Sequence, residues 1–172
     1  MNAPLTKITM SNAMLMSGCA IALRRQQENW NAGRRSTRGL GDDGNWPLQL
    51  GYHIQGALGE VAFASLHGVA ARVGAIGASA DVGSVEVKTV MSRSHSMIIR
   101  MGTLSDTPCA LIFLDPPCAE ILGWCIAGEV MHDRHLRDVG RGAQYFVPAS
   151  ALRGGSIPWH LIRLDHKEGL TP

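Results

Sequence analysis

Residues 81–88 read DVGSVEVK, which places an acid and a lysine two positions apart on a valine-rich stretch. In a β-strand, successive side chains point to opposite faces of the sheet, so Glu86 and Lys88 share one face. Val85 and Val87 then share the other face, where they can be buried. The stretch therefore predicts a strand that buries its valines and presents a charged pair to a cleft.

A helix upstream of this strand carries another acid. GALGEVA, at residues 56–62, lies within a predicted helix over 49–67. The predicted packing face of that helix consists of Ile54, Ala57 or Leu58, Val61 and Ala62. Glu60 falls on a different stripe, with Gly56 and Ala64 one turn away on either side. Small neighbours of this kind let another backbone or a substrate approach the acid.

The charged residues Glu60, Asp81, Glu86 and Lys88, in this order on a helix, a turn and a strand, resemble the motif of the PD-(D/E)XK nuclease superfamily. The resemblance covers roughly residues 50–130. It implies an α/β fold in which a mixed sheet is flanked by helices, as in the core of restriction endonucleases. It also implies a metal-dependent nuclease that hydrolyses DNA phosphodiester bonds.

The resemblance assigns a role to each motif residue. Asp81, Glu86 and the main-chain carbonyl of Val87 are expected to bind Mg²⁺ or Mn²⁺, which prefer oxygen ligands. Glu60 is expected to act as an acid beside these ligands or as a ligand of a second ion. Lys88 would orient the attacking water or stabilise developing negative charge. Taken one at a time, these residues also suit a solvated helix surface, a turn and an edge strand.

Arginines crowd the first forty residues of a chain whose net charge is only +2. A Gly-, Arg- and Asp-rich loop at 31–48 is expected to contact phosphates through three of them. The five arginines expected to contact DNA are Arg34, Arg35, Arg38, Arg93 and Arg100. A solvated loop, neutralised in part by Asp42 and Asp43, is an equally good interpretation of the first three.

The length and composition indicate one folded domain over residues 1–172, with the N-terminal helix and basic loop at 9–48 outside the core. Hydrophobic residues make up 45% and charged residues 17% of the chain, as in ordinary folded domains. No apolar run approaches the length that spans a membrane. The four cysteines form no C-x-x-C pair, which indicates buried thiols and a cytoplasmic location.

The remaining elements follow from periodicity. A first helix is predicted over 9–30, capped by Thr9 or Ser11. Its apolar stripe is predicted to be Met16, Ala20, Leu23, Gln27 and Trp30. Short apolar segments predict strands at 84–91, 96–101, 108–115 and 120–127, followed by a short helix at 129–138. A strand that runs into a turn is predicted at 144–152, and a final edge strand at 159–164. The wholly apolar run at 109–114 is typical of a central strand covered on both faces.

Three interpretations stay open. The first is an active nuclease of phage or mobile-element DNA processing, recombination or repair. The second is an inactive relative that binds nucleic acid or a protein partner. A third possibility is an unrelated α+β protein in which the motif is accidental. A homo-oligomer is compatible with each of them.

Overall fold

The computed structural model describes residues 6–33, 46–71, 81–140 and 142–162. Seven strands and three helices lie in these ranges: β1 Lys7–Thr9, α1 Asn12–Asn31, α2 Trp46–Leu66, β2 Glu86–Val90, β3 Met97–Arg100, β4 Pro108–Asp115, β5 Cys118–Ile126, α3 Ala127–Val130, β6 Leu136–Asp138 and β7 Ala143–Val147. Short 3₁₀ turns lie at Asp133–His135, Ala149–Ala151 and Trp159–Leu161. None of the helices in the described ranges is long and apolar enough to cross a bilayer.

A four-stranded mixed sheet forms the centre of the molecule, in the order β1-β5-β4-β2. β2 runs parallel to β4, and the other neighbours are antiparallel. The side chains of β4 alternate between the two faces: Ala110 and Ile112 point to one core cluster, whereas Cys109 and Leu111 point to the other. The predictions of an α/β class and of a doubly covered central strand at β4 are therefore confirmed.

The two long helices lie on the same face of this sheet. α2 packs on the sheet through Leu58 and Ala62, as predicted, and α1 packs on α2. Ser11 caps α1 by accepting a hydrogen bond from the backbone N–H of Met14 at 3.3 Å.

The predicted apolar stripe of α1 is wrong. Met16, Leu23 and Trp30 are exposed. The buried residues of α1 are instead Gly18, Ile21, Ala22 and Gln26. A Cβ atom at Gly18 would lie 2.5 Å from the side chain of Leu58, so the two helices approach too closely for a large side chain there. Two of these four residues, Gly18 and Ala22, are small, and a search for large apolar side chains passes over them.

A second sheet of three antiparallel strands, in the order β3-β7-β6, covers the other face of the central sheet. Met97, Ile99 and Val147 from this sheet pack against Cys109 and Leu111 of β4. The sequence predicted a sheet flanked by helices. In the described ranges, the two long helices lie on one side, and the second sheet with the four-residue α3 lies on the other.

Several predictions of short elements are wrong. Residues 159–161 form a 3₁₀ turn where an edge strand was predicted. The predicted helix at 129–138 is divided into the end of α3, a 3₁₀ turn and β6. β1 and β6, each three residues long, were not predicted, because so short a strand carries almost no periodic pattern. Most of the predicted basic loop lies outside the described residues.

Candidate metal and phosphate site at the edge of the sheet

A tight turn folds Asp81 back against β2, as the short spacing predicted. The backbone N–H of Asp81 donates to the carbonyl of Val85 at 3.0 Å, and the N–H of Val85 donates to the carbonyl of Val82 at 2.9 Å. Gly83 takes a φ of 57°, a conformation that glycine adopts without steric cost. The turn thus places the Asp81 side chain beside the strand that begins at Glu86.

Asp81 binds the outer edge of β2. Its Oδ2 atom accepts a hydrogen bond from the backbone N–H of Val87 at 2.8 Å. Because β2 is the last strand of the sheet in the described ranges, that N–H points away from β4. The N–H and C=O groups of one strand residue point to the same side, so the Val87 carbonyl also points to this open edge. A carboxylate and a main-chain carbonyl therefore lie on the same edge.

Glu86 and Lys88 share one face of β2 and form an ion pair between Glu86 Oε1 and Lys88 Nζ. Val85 and Val87 are buried in the core cluster beneath the helices. The predicted division of this strand into a charged face and an apolar face is confirmed. The second carboxylate oxygen of Glu86 lies 4.0 Å from the thiol sulfur of Cys109 on β4.

Glu60 lies on α2 and is held by a residue that the sequence did not single out as part of the site. Arg25 of α1 donates from Nη1 to Oε1 of Glu60 at 2.7 Å and from Nη2 to Oε2 at 2.6 Å. The side chain of Glu60 is 5% exposed and that of Arg25 is 18% exposed. Arg25 lies one turn beyond Ile21 on the buried face of α1, and only a correct prediction of that face would have identified it.

The pKa values of buried Glu60 and half-buried Asp81 show that the motif charges act on one another. Burial raises the pKa of Glu60; Arg25 opposes this shift, and Asp81 adds to it. Burial also raises the pKa of Asp81, while the hydrogen bond from Val87 and the charge of Lys88 lower it. Lys88 also lowers the pKa of Glu60, and Glu86 raises that of Asp81. The four motif residues and Arg25 therefore form one electrostatic network.

This network does not bring three acidic ligands to one point. Among the described residues, no group of three or more His, Cys, Asp or Glu side chains is arranged to hold a metal ion. Glu60 is turned toward Arg25, whereas Asp81 and Glu86 lie at the edge and face of β2. The described part of the chain thus offers two carboxylates and one carbonyl near each other, with Glu60 to one side.

The close approach of α2 to β2 depends on the glycine beside Glu60. A Cβ atom at Gly59 would lie 1.9 Å from Oγ1 of Thr89, so no side chain is tolerated there without a shift of the helix or the strand. Gly56, which the sequence pattern suggested for this role, has open space around it. Gly59 therefore sets the distance between Glu60 and the motif strand.

No family model, curated protein or solved structure matches this chain. The resemblance to the nuclease superfamily therefore rests on the motif residues alone and stays a prediction.

The arginines expected to contact DNA are divided among different places. Arg34, Arg35 and Arg38 lie outside the described residues. Arg93 pairs with Glu120 of β5, and its guanidinium lies 4.4 Å from the centre of the Phe113 ring. Arg100 is exposed at the end of β3, in the second sheet. Arg93 thus lies in the turn between β2 and β3, whereas Arg100 lies in the second sheet, and their contact with DNA stays a prediction.

Proposed function

We propose that this protein is a metal-dependent nuclease that hydrolyses DNA phosphodiester bonds. The observation that carries the proposal is the arrangement at the outer edge of β2. There Asp81, Glu86 and the Val87 carbonyl offer oxygen ligands, and Lys88 supplies a positive charge beside them. The proposed setting is cytoplasmic DNA processing, recombination or repair in a phage or mobile element.

The residues at this edge fit a magnesium or manganese ion. One oxygen of Asp81 is engaged by Val87, and one oxygen of Glu86 is engaged by Lys88. In the described ranges, Oδ1 of Asp81 is left for an ion, together with the Val87 carbonyl and Oε2 of Glu86, which the thiol of Cys109 approaches at 4.0 Å. Magnesium in phosphate-processing sites is held by one or two carboxylates and keeps several of its waters, so two carboxylates suffice.

Each side chain has a distinct task in this proposal. The hydrogen bond from Val87 fixes the orientation of the Asp81 carboxylate, and Lys88 fixes that of Glu86. Lys88 also offers a positive charge where a phosphate gains negative charge during hydrolysis. The chemistry that the ion supplies when bound is the activation of water and the neutralisation of phosphate charge.

The test is DNA cleavage by purified protein in Mn²⁺ or Mg²⁺, on linear, circular, single-stranded and branched substrates. We expect Asp81→Asn and Lys88→Met each to slow cleavage by about 100-fold or more, the effect typical of losing one group that stabilises transition-state charge.

Two substitutions serve as matched controls. Asp138→Asn alters an aspartate that also accepts a backbone N–H, that of Gly140 at 2.8 Å, at an exposed turn. Lys7→Met alters a lysine in an exposed ion pair with Glu120. Both control variants are expected to cut as fast as the wild type. Equal rates for Asp81→Asn and the wild type would show that the edge of β2 is not the active site.

The alternative is an inactive protein with the same architecture that binds nucleic acid or a protein partner. The observation that favours it is the internal pairing of the acids, since Glu60 is bound by Arg25 and Glu86 by Lys88. Ion pairs of this kind also satisfy carboxylates that bind no metal. DNA binding that is independent of divalent ions and unaffected by Asp81→Asn, with no cleavage of any substrate, would support this alternative.

A further inference from the structure

Arg25 occupies both carboxylate oxygens of Glu60. The two N–H···O bonds of 2.7 and 2.6 Å join the two ends of the guanidinium to the two ends of the carboxylate. This paired geometry is the strongest that an arginine makes with a carboxylate, and the guanidinium keeps its charge at every pH at which a protein is folded. A fixed positive charge therefore lies where a cation bound to Glu60 would have to lie.

The helix that carries Arg25 is held firmly against α2. Ile21 and Ala22 of α1 pack in a cluster with Ala57 and Val61 of α2. Gly18 lets the two backbones approach closely, because a Cβ atom there would lie 2.5 Å from the Leu58 side chain. Arg25 follows this packed segment by one turn. A shift of its guanidinium away from Glu60 would leave a buried carboxylate without a counter-charge, which is costly.

The charge of Arg25 also acts on Asp81. Arg25 and Lys88 each favour the ionised form of Asp81 and so lower its pKa. A second divalent ion between Glu60 and Asp81 would therefore meet the repulsion of a guanidinium as well as the loss of the Glu60 ligand.

We propose that Arg25 takes the place of a second metal ion, so that the site binds a single divalent ion through Asp81 and Glu86 while Glu60 is not a ligand. This inference rests on the proposed nuclease function and deepens it, because it sets the number of ions. Arg25 acts as a positioning residue: it holds Glu60 and excludes a cation from it.

The experiment counts Mn²⁺ ions bound to the intact protein in the absence of DNA. Free Mn²⁺ is measured by electron paramagnetic resonance, and isothermal titration calorimetry gives the affinity. We expect the wild type to bind one Mn²⁺ ion. We expect Asp81→Asn to bind it with a Kd that is higher by about tenfold or more. Glu60→Gln is expected to bind one ion, with a Kd within about threefold of the wild type, because it removes no ligand.

Arg25 is tested by two substitutions that differ in charge. Arg25→Gln removes the guanidinium and frees the Glu60 carboxylate, so a second Mn²⁺ is expected to bind. Arg25→Lys keeps a positive charge, so a single ion is expected. Circular dichroism establishes that each variant is folded, and if Arg25→Gln is not, the Glu60→Gln result decides.

The outcomes separate the inference from the function. Two ions in the wild type, a lost ion or a tenfold weaker Kd in Glu60→Gln, or a single ion in folded Arg25→Gln would each overturn the role of Arg25. Those results would leave the nuclease proposal standing. No Mn²⁺ binding by the wild type, together with no cleavage of DNA, would instead overturn the proposed function itself.

Discussion

Two arginine–glutamate pairs lie on different sides of this molecule, and water reaches them to different degrees. Arg25 and Glu60 join the two helices, and their side chains are 18% and 5% exposed. Arg93 and Glu120 join the segment after β2 to β5, and their side chains are 54% and 20% exposed. The chemical groups are identical, so any difference in their effects comes from their surroundings.

The surroundings change what holds each carboxylate. Glu60 has Arg25 as its cation and accepts one N–H from each of its two terminal nitrogens. Glu120 has a second cation, Lys7, at 3.3 Å, and its arginine also stacks on Phe113. Loss of one partner therefore leaves Glu60 buried with an unpaired charge, whereas Glu120 keeps a lysine and water. The comparison teaches that the residues around an ion pair decide its effect on stability.

The largest expected effect comes from breaking the buried pair. Arg25→Met should lower the free energy of unfolding by about 3 kcal/mol, because it leaves a buried, uncompensated carboxylate. Urea denaturation measures this change. Arg93→Met is the matched control, and its denaturation midpoint should stay that of the wild type. Equal losses in the two variants would show that burial does not separate the pairs.

Removal of both buried partners should cost much less than removal of one. Arg25→Met combined with Glu60→Leu replaces the pair by apolar side chains and leaves no charge unpaired. We expect the free energy of unfolding of the double variant to lie within about 1 kcal/mol of the wild-type value, by the same urea measurement. A double variant as unstable as Arg25→Met would mean that the destabilisation arises from lost packing of α1, with no contribution from the lone carboxylate.

Salt should weaken the two pairs unequally. Double-mutant cycles on each pair, at about 0.05 M and about 1 M NaCl, give the coupling energy between arginine and glutamate. The coupling of Arg93 to Glu120 should fall toward zero at high salt, because ions in solution screen exposed charges. The coupling of Arg25 to Glu60 should persist. A buried coupling that also disappears would indicate that water and ions reach the helix pair.

The smallest expected effect is a difference in pH dependence. Burial raises the pKa of Glu60 above 4.5, so its contribution to stability is full below that value and is lost as the pH rises through the folded pKa. The hydrogen bond from Arg93 lowers the pKa of Glu120, so its contribution is lost as the pH falls below 4.5.

Urea denaturation midpoints, measured at acidic and neutral pH, test these two opposite pH dependences. The advantage of the wild type over Glu60→Gln should shrink as the pH rises. Its advantage over Glu120→Gln should shrink as the pH falls. If the stability difference between wild type and variant changed with pH in the same direction for both substitutions, the opposite pKa shifts of Glu60 and Glu120 would be contradicted.

The sequence predicted the parts of the site that depend on local spacing. The alternation of β2 follows from a period of two, which assigns Glu86 and Lys88 to one face. The turn before it follows from the short distance between Asp81 and Glu86. The position of β4 at the centre of the sheet follows from its unbroken apolar run.

The parts that depend on contacts distant in sequence were not predicted. Arg25 and Glu60 are 35 positions apart, and no local pattern joins them. The buried face of α1 includes small and polar residues, so the apolar stripe was assigned to Met16, Leu23 and Trp30, which are exposed. The second sheet forms because β3 pairs with β7, which is distant in sequence, and not with β2 or β4, its neighbours along the chain.

The hydrogen bond between Asp81 and Val87 has a consequence for self-association. The last strand of a sheet presents backbone donors to which a strand of another molecule can add, the usual start of aggregation. On β2, in the described chain, the Val87 donor is already bound to Asp81. A substitution of Asp81 by a residue without an acceptor, such as alanine, therefore exposes a backbone group as well as removing the proposed ligand. The solubility and the molecular mass in solution of such a variant must be measured before any loss of DNA cleavage is interpreted.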